Sequence, residues 1–191
     1  MNLTSSLSSA ALGLALAFGA QSVQAQQQLV PAQSEVQFTA RQMGVPLDGH
    51  FKKFSAQVAF DSAKLATSKI AFTVDTGSAT LGSRETDAEL PKPTWFNVPK
   101  FPQAQFESSS IKALGGGKFE VAGKLTIKGN AQNVVVPVAL TQAGPITTAT
   151  GTLPIKRLAF KIGENEWADT SMVADDVTVK FKLALTGVGK L

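Results

Sequence analysis

The chain has no cysteine, no tyrosine and a single histidine, His50, and only 17% of its residues are charged. Without cysteine there is no disulfide scaffold, thiolate zinc site, covalent haem attachment or thiol catalysis. One histidine supplies neither a His-rich metal site nor a pair for acid–base relay. The charge fraction lies below the ~25% of average soluble proteins. With 43% hydrophobic residues, this excludes a disordered polyelectrolyte. The aromatic content, 12 Phe and 2 Trp, is almost wholly apolar. Beyond the first segment no apolar run reaches the ~18 residues that a membrane-spanning helix needs. At 191 residues, length favours one domain.

Eighteen basic against 14 acidic residues give a net charge of +4. The lysines are spread singly, and the densest basic pairs are Lys52-Lys53 and Lys156-Arg157. Nucleic-acid binders concentrate charge on one face with interleaved aromatics, so nucleic acid is not an expected partner. The mild excess reads as a solubility device or a weak bias toward anionic lipid surfaces.

No charged side chain precedes Glu35. Ala10 to Ala20 is an apolar run of helix formers too short to span a bilayer. Val23-Gln24-Ala25 follows as a small-x-small cleavage pattern, so residues 1–25 are expected to be a secretory signal peptide cut after Ala25. The stretch from Met1 to Leu7 lacks the usual Lys or Arg, and the alternative is an uncleaved hydrophobic anchor. A periplasmic or secreted location is expected, with residues 26–191 as the single mature domain.

From Ala32 onward the pattern has period two. Val36, Phe38 and Ala40 alternate with polar neighbours, as do Phe54, Ala56, Val58 and Phe60, and then Ile70, Phe72 and Val74. A weakly patterned strand near Gln103 to Leu114 carries Phe106. Phe119, Val121, Gly123, Leu125 and Ile127 form the clearest run, followed by Val134, Val136, Val138 and Leu140. A Thr-rich strand runs from Ile146 through Gly151 and Pro154 toward Phe160, and Val177, Val179, Phe181, Leu183 and Leu185 form the last, making eight. Gly115-Gly116-Gly117, Gly129-Asn130 and Gly144-Pro145 mark tight hairpins. The expected fold is all-β: an eight-stranded antiparallel up-and-down barrel, lipocalin-like, with a short helical or irregular insertion around residues 83–102. A second irregular stretch, Gly163 to Ala174, carries Trp167. At this size a barrel is either just filled by side chains or holds one small ligand. The small residues Ala40, Ala56, Gly123 and Ser108 or Ser110 among the Phe rings leave both readings open.

Catalytic chemistry is missing. His50 has no nucleophile or second histidine in view and reads as structural or surface-lying. Glu85, Asp87 and Glu89 sit at the start of a short helix, where carboxylates favour the dipole, and their spacing of two turns them to different faces. Asp175-Asp176 reads as a turn, and Gly115–Gly117 lacks the Lys-Ser/Thr of a phosphate loop. No catalytic residue, metal site or cofactor is expected, and the protein is not expected to be an enzyme. An apolar interior points to binding of a hydrophobic small molecule. Alternation assigns the lumen to Val36, Phe38, Val58, Phe60, Phe72, Phe106, Val121, Leu125, Val136, Val138, Phe181 and Leu183, with Trp95, Phe96 and Trp167 at a mouth.

Several ordered elements resemble the YceI-like family of secreted bacterial proteins. They are Ser34-Glu35-Val36-Gln37-Phe38, then Leu47-Asp48-Gly49-His50-Phe51-Lys52-Lys53-Phe54, then Val58-Ala59-Phe60-Asp61. Trp95-Phe96 through Phe101-Pro102 to Phe106-Glu107-Ser108 is similar to the family's aromatic-Pro-Phe-Ser signature, and Gly123-Lys124-Leu125-Thr126-Ile127-Lys128-Gly129 to its hairpin. The segment Leu90-Pro91-Lys92-Pro93 and the stretch Gly163 to Val173 depart from its commonest form. The resemblance implies a lipocalin-like barrel that holds a polyisoprenoid or isoprenoid quinone as partner. Transient contact with a membrane surface and a homodimer are further expectations. The alternative is a non-enzymatic interaction module with a filled barrel, serving a membrane redox protein.

Overall fold

The computed structural model describes residues 26–191, so the secretory segment expected over 1–25 lies outside the described residues. The strands are β1 (Gln28–Leu29), β2 (Glu35–Gln42), β3 (Val45–Phe51), β4 (Phe54–Ala59), β5 (Lys69–Asp75), β6 (Ala79–Thr80), β7 (Gln103–Gly115), β8 (Lys118–Ile127), β9 (Asn130–Ala143), β10 (Ile146–Lys156) and β11 (Asp176–Thr186). One helix, α1 (Arg84–Glu89), sits in the expected insertion and ends before Pro91. All strands form one antiparallel sheet in the order β4-β5-β7-β8-β9-β10-β11-β2-β3-β6, and β1 extends the β11 edge beside β2. The sheet curls around a common interior as a half-closed, lipocalin-like barrel.

The count is eleven strands rather than eight. The missing long one is β3, whose Pro46 and Gly49 mask the inward alternation of Leu47, Gly49 and Phe51. It leaves β2 by a two-residue turn with Met43 and Gly44 both at positive φ (49° and 81°), the turn whose twist matches paired strands. Lys128 (φ 49°) and Gly129 (φ 74°) turn β8 into β9 in the same way. Strand β10 stops at Lys156, and residues up to Phe160 continue as a 3₁₀ turn. The weak pattern of β7 has a local cause. Its register against β8 shifts between Ser108 and Ser110, which restores Ile111 to the buried face. There the Ser108 hydroxyl accepts from Ile70 N at 2.9 Å, extending the β5–β7 pairing by a side chain.

A side chain also bridges the seam between the sheet's first strand and β1. Gln27 Nε2 donates to Phe60 O at 2.6 Å while its Oε1 accepts from Phe60 N at 2.9 Å, so one carboxamide imitates a residue of a neighbouring strand. Beneath it Phe60 meets Phe119 edge-on at 5.4 Å, and with Ile111 and Val121 they seal one end of the barrel.

The other end is roofed by the two irregular segments. Gly163 N and Glu164 N both donate to Thr94 O. Lys128 Nζ donates to Pro93 O and Lys161 O, both at 2.7 Å, and to Glu164 Oε2 at 2.8 Å. Arg157, 2% exposed, spends all five of its N–H donors on the backbone carbonyls of Ile162, Gly163, Trp167, Val173 and Ala174. Burial pushes its guanidinium below the usual value, with the Asp175 charge acting the other way. It nonetheless stays charged, as Arg does in proteins.

Two stability outcomes follow. Gln27→Ala strands two backbone groups of a buried residue and should lower unfolding free energy by about 1–3 kcal/mol. Denaturant midpoints check this against Gln57→Ala on the exposed face of β4, which should stay within ~0.5 kcal/mol. Arg157→Met leaves five carbonyls unpaired and should cost at least ~3 kcal/mol; a loss below ~1 kcal/mol would show that the roof holds without it.

Candidate functional site

Inward faces of β2 to β5 and β7 to β11 enclose an apolar cavity of about 360 Å³. That lies in the ~300–1,000 Å³ range of small-molecule sites. Many wall residues, Phe72, Phe106, Val138, Phe181 and Leu183 among them, point inward yet keep partial accessibility, because they face the hollow rather than another side chain.

The hollow exists because three rings lie flat against the wall. Phe38 pairs across the ladder with Gly49, and Phe181 with Gly151, while Phe106 lies diagonally over Gly123. A Cβ built at Gly49 or Gly151 would stand 2.3 Å from the Phe38 or Phe181 Cζ, and one at Gly123 would stand 2.6 Å from Phe106 Cζ. No side chain fits at those positions, so each ring occupies the space against the backbone instead of the barrel centre. The small residues therefore serve both readings left open by the sequence: they let the rings pack, and that packing leaves the lumen.

The two ends differ. At the sealed end the cavity meets Phe60, Phe119, Leu140, Leu185 and Thr147, which is 0% exposed and accepts from Gln142 Nε2 at 3.0 Å. At the α1 end it meets Gln42 and Leu47 of the β2–β3 hairpin, Thr86 and Glu89 of α1, and Trp95, Phe96, Arg157, Trp167 and Val173 of the roof. Thr86 is exposed to solvent while fronting the cavity, which marks the opening beside α1. Asp87 anchors that helix: its carboxylate accepts from the Thr80 hydroxyl and from Leu81 N at 2.7 Å. Those two bonds, the hydroxyl first, hold its pKa below the ordinary carboxylate value.

All twelve residues assigned to the lumen by alternation stand on the cavity wall, and Trp95, Phe96 and Trp167 at its α1 end. Trp95 and Trp167 meet tilted at 46° with centroids 5.5 Å apart, and an aromatic row runs from Phe38 to Phe51 (5.2 Å) to Phe96 (6.1 Å). Trp95 and Phe96 pack on Ile127, Phe160 and Ile162, so they roof the cavity beside its opening. Sequence reasoning missed Leu47 and Phe51 because β3 went unread. Ile70, Phe119, Val177 and Val179 carried the alternation signal but were not chosen. Arg157 was named only as half of a basic pair and Glu89 only at a helix start, because their place on the wall comes from how the roof and α1 pack. His50 is exposed on the outer face opposite Gln37. Among the described residues no three His, Cys, Asp or Glu side chains cluster as metal ligands.

Comparison with known proteins agrees with this geometry. The crystal structure of BcnA from Burkholderia cenocepacia is similar at 48% identity and a TM-score of 0.79, covering 82% of this chain and 98% of that one. A Saccharophagus degradans structure described as a polyisoprenoid binding domain superimposes with a TM-score of 0.68 at 13% identity, over 84% of this chain and 98% of that one, a likeness of fold. Among curated relatives, a UPF0312 protein of Ectopseudomonas mendocina is 36% identical over 90 residues, 47% of each chain. VPA0850, a UPF0312 protein of Vibrio parahaemolyticus, is 28% identical over 70% of this chain and 71% of its own. The match thus spans about half the length of the first of these relatives. The YceI-like domain profile matches residues 27–185, nearly the whole described barrel, and the chain belongs to the YceI-like family.

Proposed function

We propose that this protein is a non-enzymatic binding or carrier protein that holds a polyisoprenoid, or an isoprenoid quinone, in its barrel. The observation that carries the reading is the open apolar hollow of about 360 Å³. At the ~24 cal/mol per Å³ found for cavities in packed cores, a void of this size forgoes on the order of 9 kcal/mol of packing. That rivals the whole ~5–15 kcal/mol stability of a domain, so a hollow retained against such a cost calls for an occupant. A filled interaction module would have no reason to keep it. The polyisoprenoid binding domain of Saccharophagus degradans shares the architecture and suggests the ligand class.

The carrier works near neutrality. A prenyl lipid comes from a membrane, and moving hydrocarbon from bilayer to barrel exchanges one apolar medium for another. Shape and head-group contacts then decide occupancy, so the protein can both load and unload. The site of action in this reading is the periplasm or the exterior, reached through residues 1–25 as a cleaved signal peptide, with transient membrane contact during loading.

Phe72→Ala and Phe181→Ala should each change the amount or chain length of prenyl lipid that co-purifies, several-fold in either respect. Lys182→Ala on the outer face of β11 should not. Mass spectrometry of solvent extracts reads the result, and equal lipid in wild type and all three variants would refute the assignment.

A further inference from the structure

Among the described residues six large apolar side chains stand exposed, and three of them belong to one place on the rim: Met43 (69% exposed), Val45 (61%) and Met172 (41%). Met43 and Val45 flank Gly44 at the tip of the β2–β3 hairpin. Met43 N donates to Met172 O at 2.8 Å and ties that tip to the roof. The neighbouring pair, Gln42 and Val173, forms an antiparallel bridge, and both residues front the cavity, as does Leu47 on the other arm of the hairpin. The three exposed side chains therefore stand at the lip of the mouth, at the α1 end.

Turn chemistry does not explain Met43. It occupies positive φ (49°) in a two-residue turn, where Asn, Asp or Gly is the usual choice. The other non-glycine residues at positive φ among those described are Asn97, Lys128, Lys161 and Asn165, all polar. A Cβ built at Gly44 would meet no atom within 4 Å, so the tip projects into open space. An apolar side chain held in a strained turn and turned to water calls for a contact outside the fold.

Charge does not supply that contact. Within three residues of these side chains in the sequence stand one cation, Arg41, and three carboxylates, Asp48, Asp169 and Asp175. Arg41 Nη1 donates to Gly44 O at 3.2 Å, while Asp48 accepts from the Thr39 hydroxyl, Asp169 from Ser171 and Asp175 from Leu158 N. A protein partner fits poorly too, because three side chains are far fewer than the ~20–30 residues a side of a stable protein–protein interface. A bilayer needs no matched surface, and attachment to its interfacial region scales with the apolar area that enters it. Resting on the proposed carriage of a prenyl lipid, we propose that Met43, Val45 and Met172 dock the mouth of the barrel on a lipid bilayer by entering its interfacial region, so that cargo passes between membrane and lumen without crossing water.

The test uses residues 26–191, which hold every strand of the barrel, stripped of lipid. Phosphatidylcholine vesicles with and without a polyprenol, and the same polyprenol in detergent, are offered to the wild type and to the triple variant Met43→Ser, Val45→Ser, Met172→Ser. Sedimentation with polyprenol-free vesicles reads docking alone, and timed mass spectrometry of the recovered protein reads loading. The triple variant should sediment and load from vesicles at least ~10-fold less well than the wild type, as expected when three apolar side chains no longer leave water. It should load from detergent as the wild type does, and neither added phosphatidylglycerol nor salt should alter the difference. Val135→Ser, an equally exposed apolar position on β9, should behave as wild type throughout. Equal sedimentation of wild type and triple variant overturns the inference and leaves prenyl carriage standing, and so does an equal loss in Val135→Ser. Attachment that requires phosphatidylglycerol and disappears in salt also overturns it, assigning the contact to lysines such as Lys118, Lys180 and Lys182 on the outer face. Loading from neither source overturns the carrier reading, while sedimentation still decides the docking.

Discussion

A phenylalanine ring placed against a glycine on the adjoining strand takes up room along the wall and leaves the middle vacant. This protein repeats that arrangement three times, at Phe38, Phe106 and Phe181, on three different parts of the sheet. Were the glycines alanines, strand backbones and rings would compete for the same few ångströms, and the rings would be forced inward. A wall with so many large apolar side chains would then pack solid, as small barrels readily do. The cavity is in this sense a property of backbone proximity.

Keeping the hollow open at one end demands a roof that stays put without filling the space below. The roof has no long helix or ladder of its own, and its stiffness comes from two buried cations used as staples. Arg157 and Lys128 gather carbonyls from stretches that would otherwise have unpaired backbone over an apolar chamber. The same commitment that makes them good staples leaves them no N–H to offer the chamber below.

The inward face of most strands was legible in the sequence because alternation and burial have the same period. Where a strand carried Pro46 and Gly49 in place of β-branched residues, the pattern fell silent and β3 was lost. Where a bulge reset the period, at Ser108 to Ser110, β7 looked formless although it is 13 residues long. The α1 end of the site was hardest to read. Trp95 and Trp167 stood out by composition, but Arg157 and Glu89 reach the wall through loop packing 68 positions apart in the chain, a relation without a local signature. That glycines and phenylalanines would be matched ring to backbone needed the register, which only the paired strands supply.

The order of the sheet begins at β4 and ends at β6, and the join beside β1 is held by the Gln27 carboxamide rather than by a run of main-chain bonds. The wall is accordingly a scroll and not a hoop. A hoop has a circumference fixed by its stagger, whereas a scroll widens or tightens by a small slip at its overlap while every long ladder stays intact. A wall of this kind suits the proposed carriage of prenyl lipids that differ in thickness.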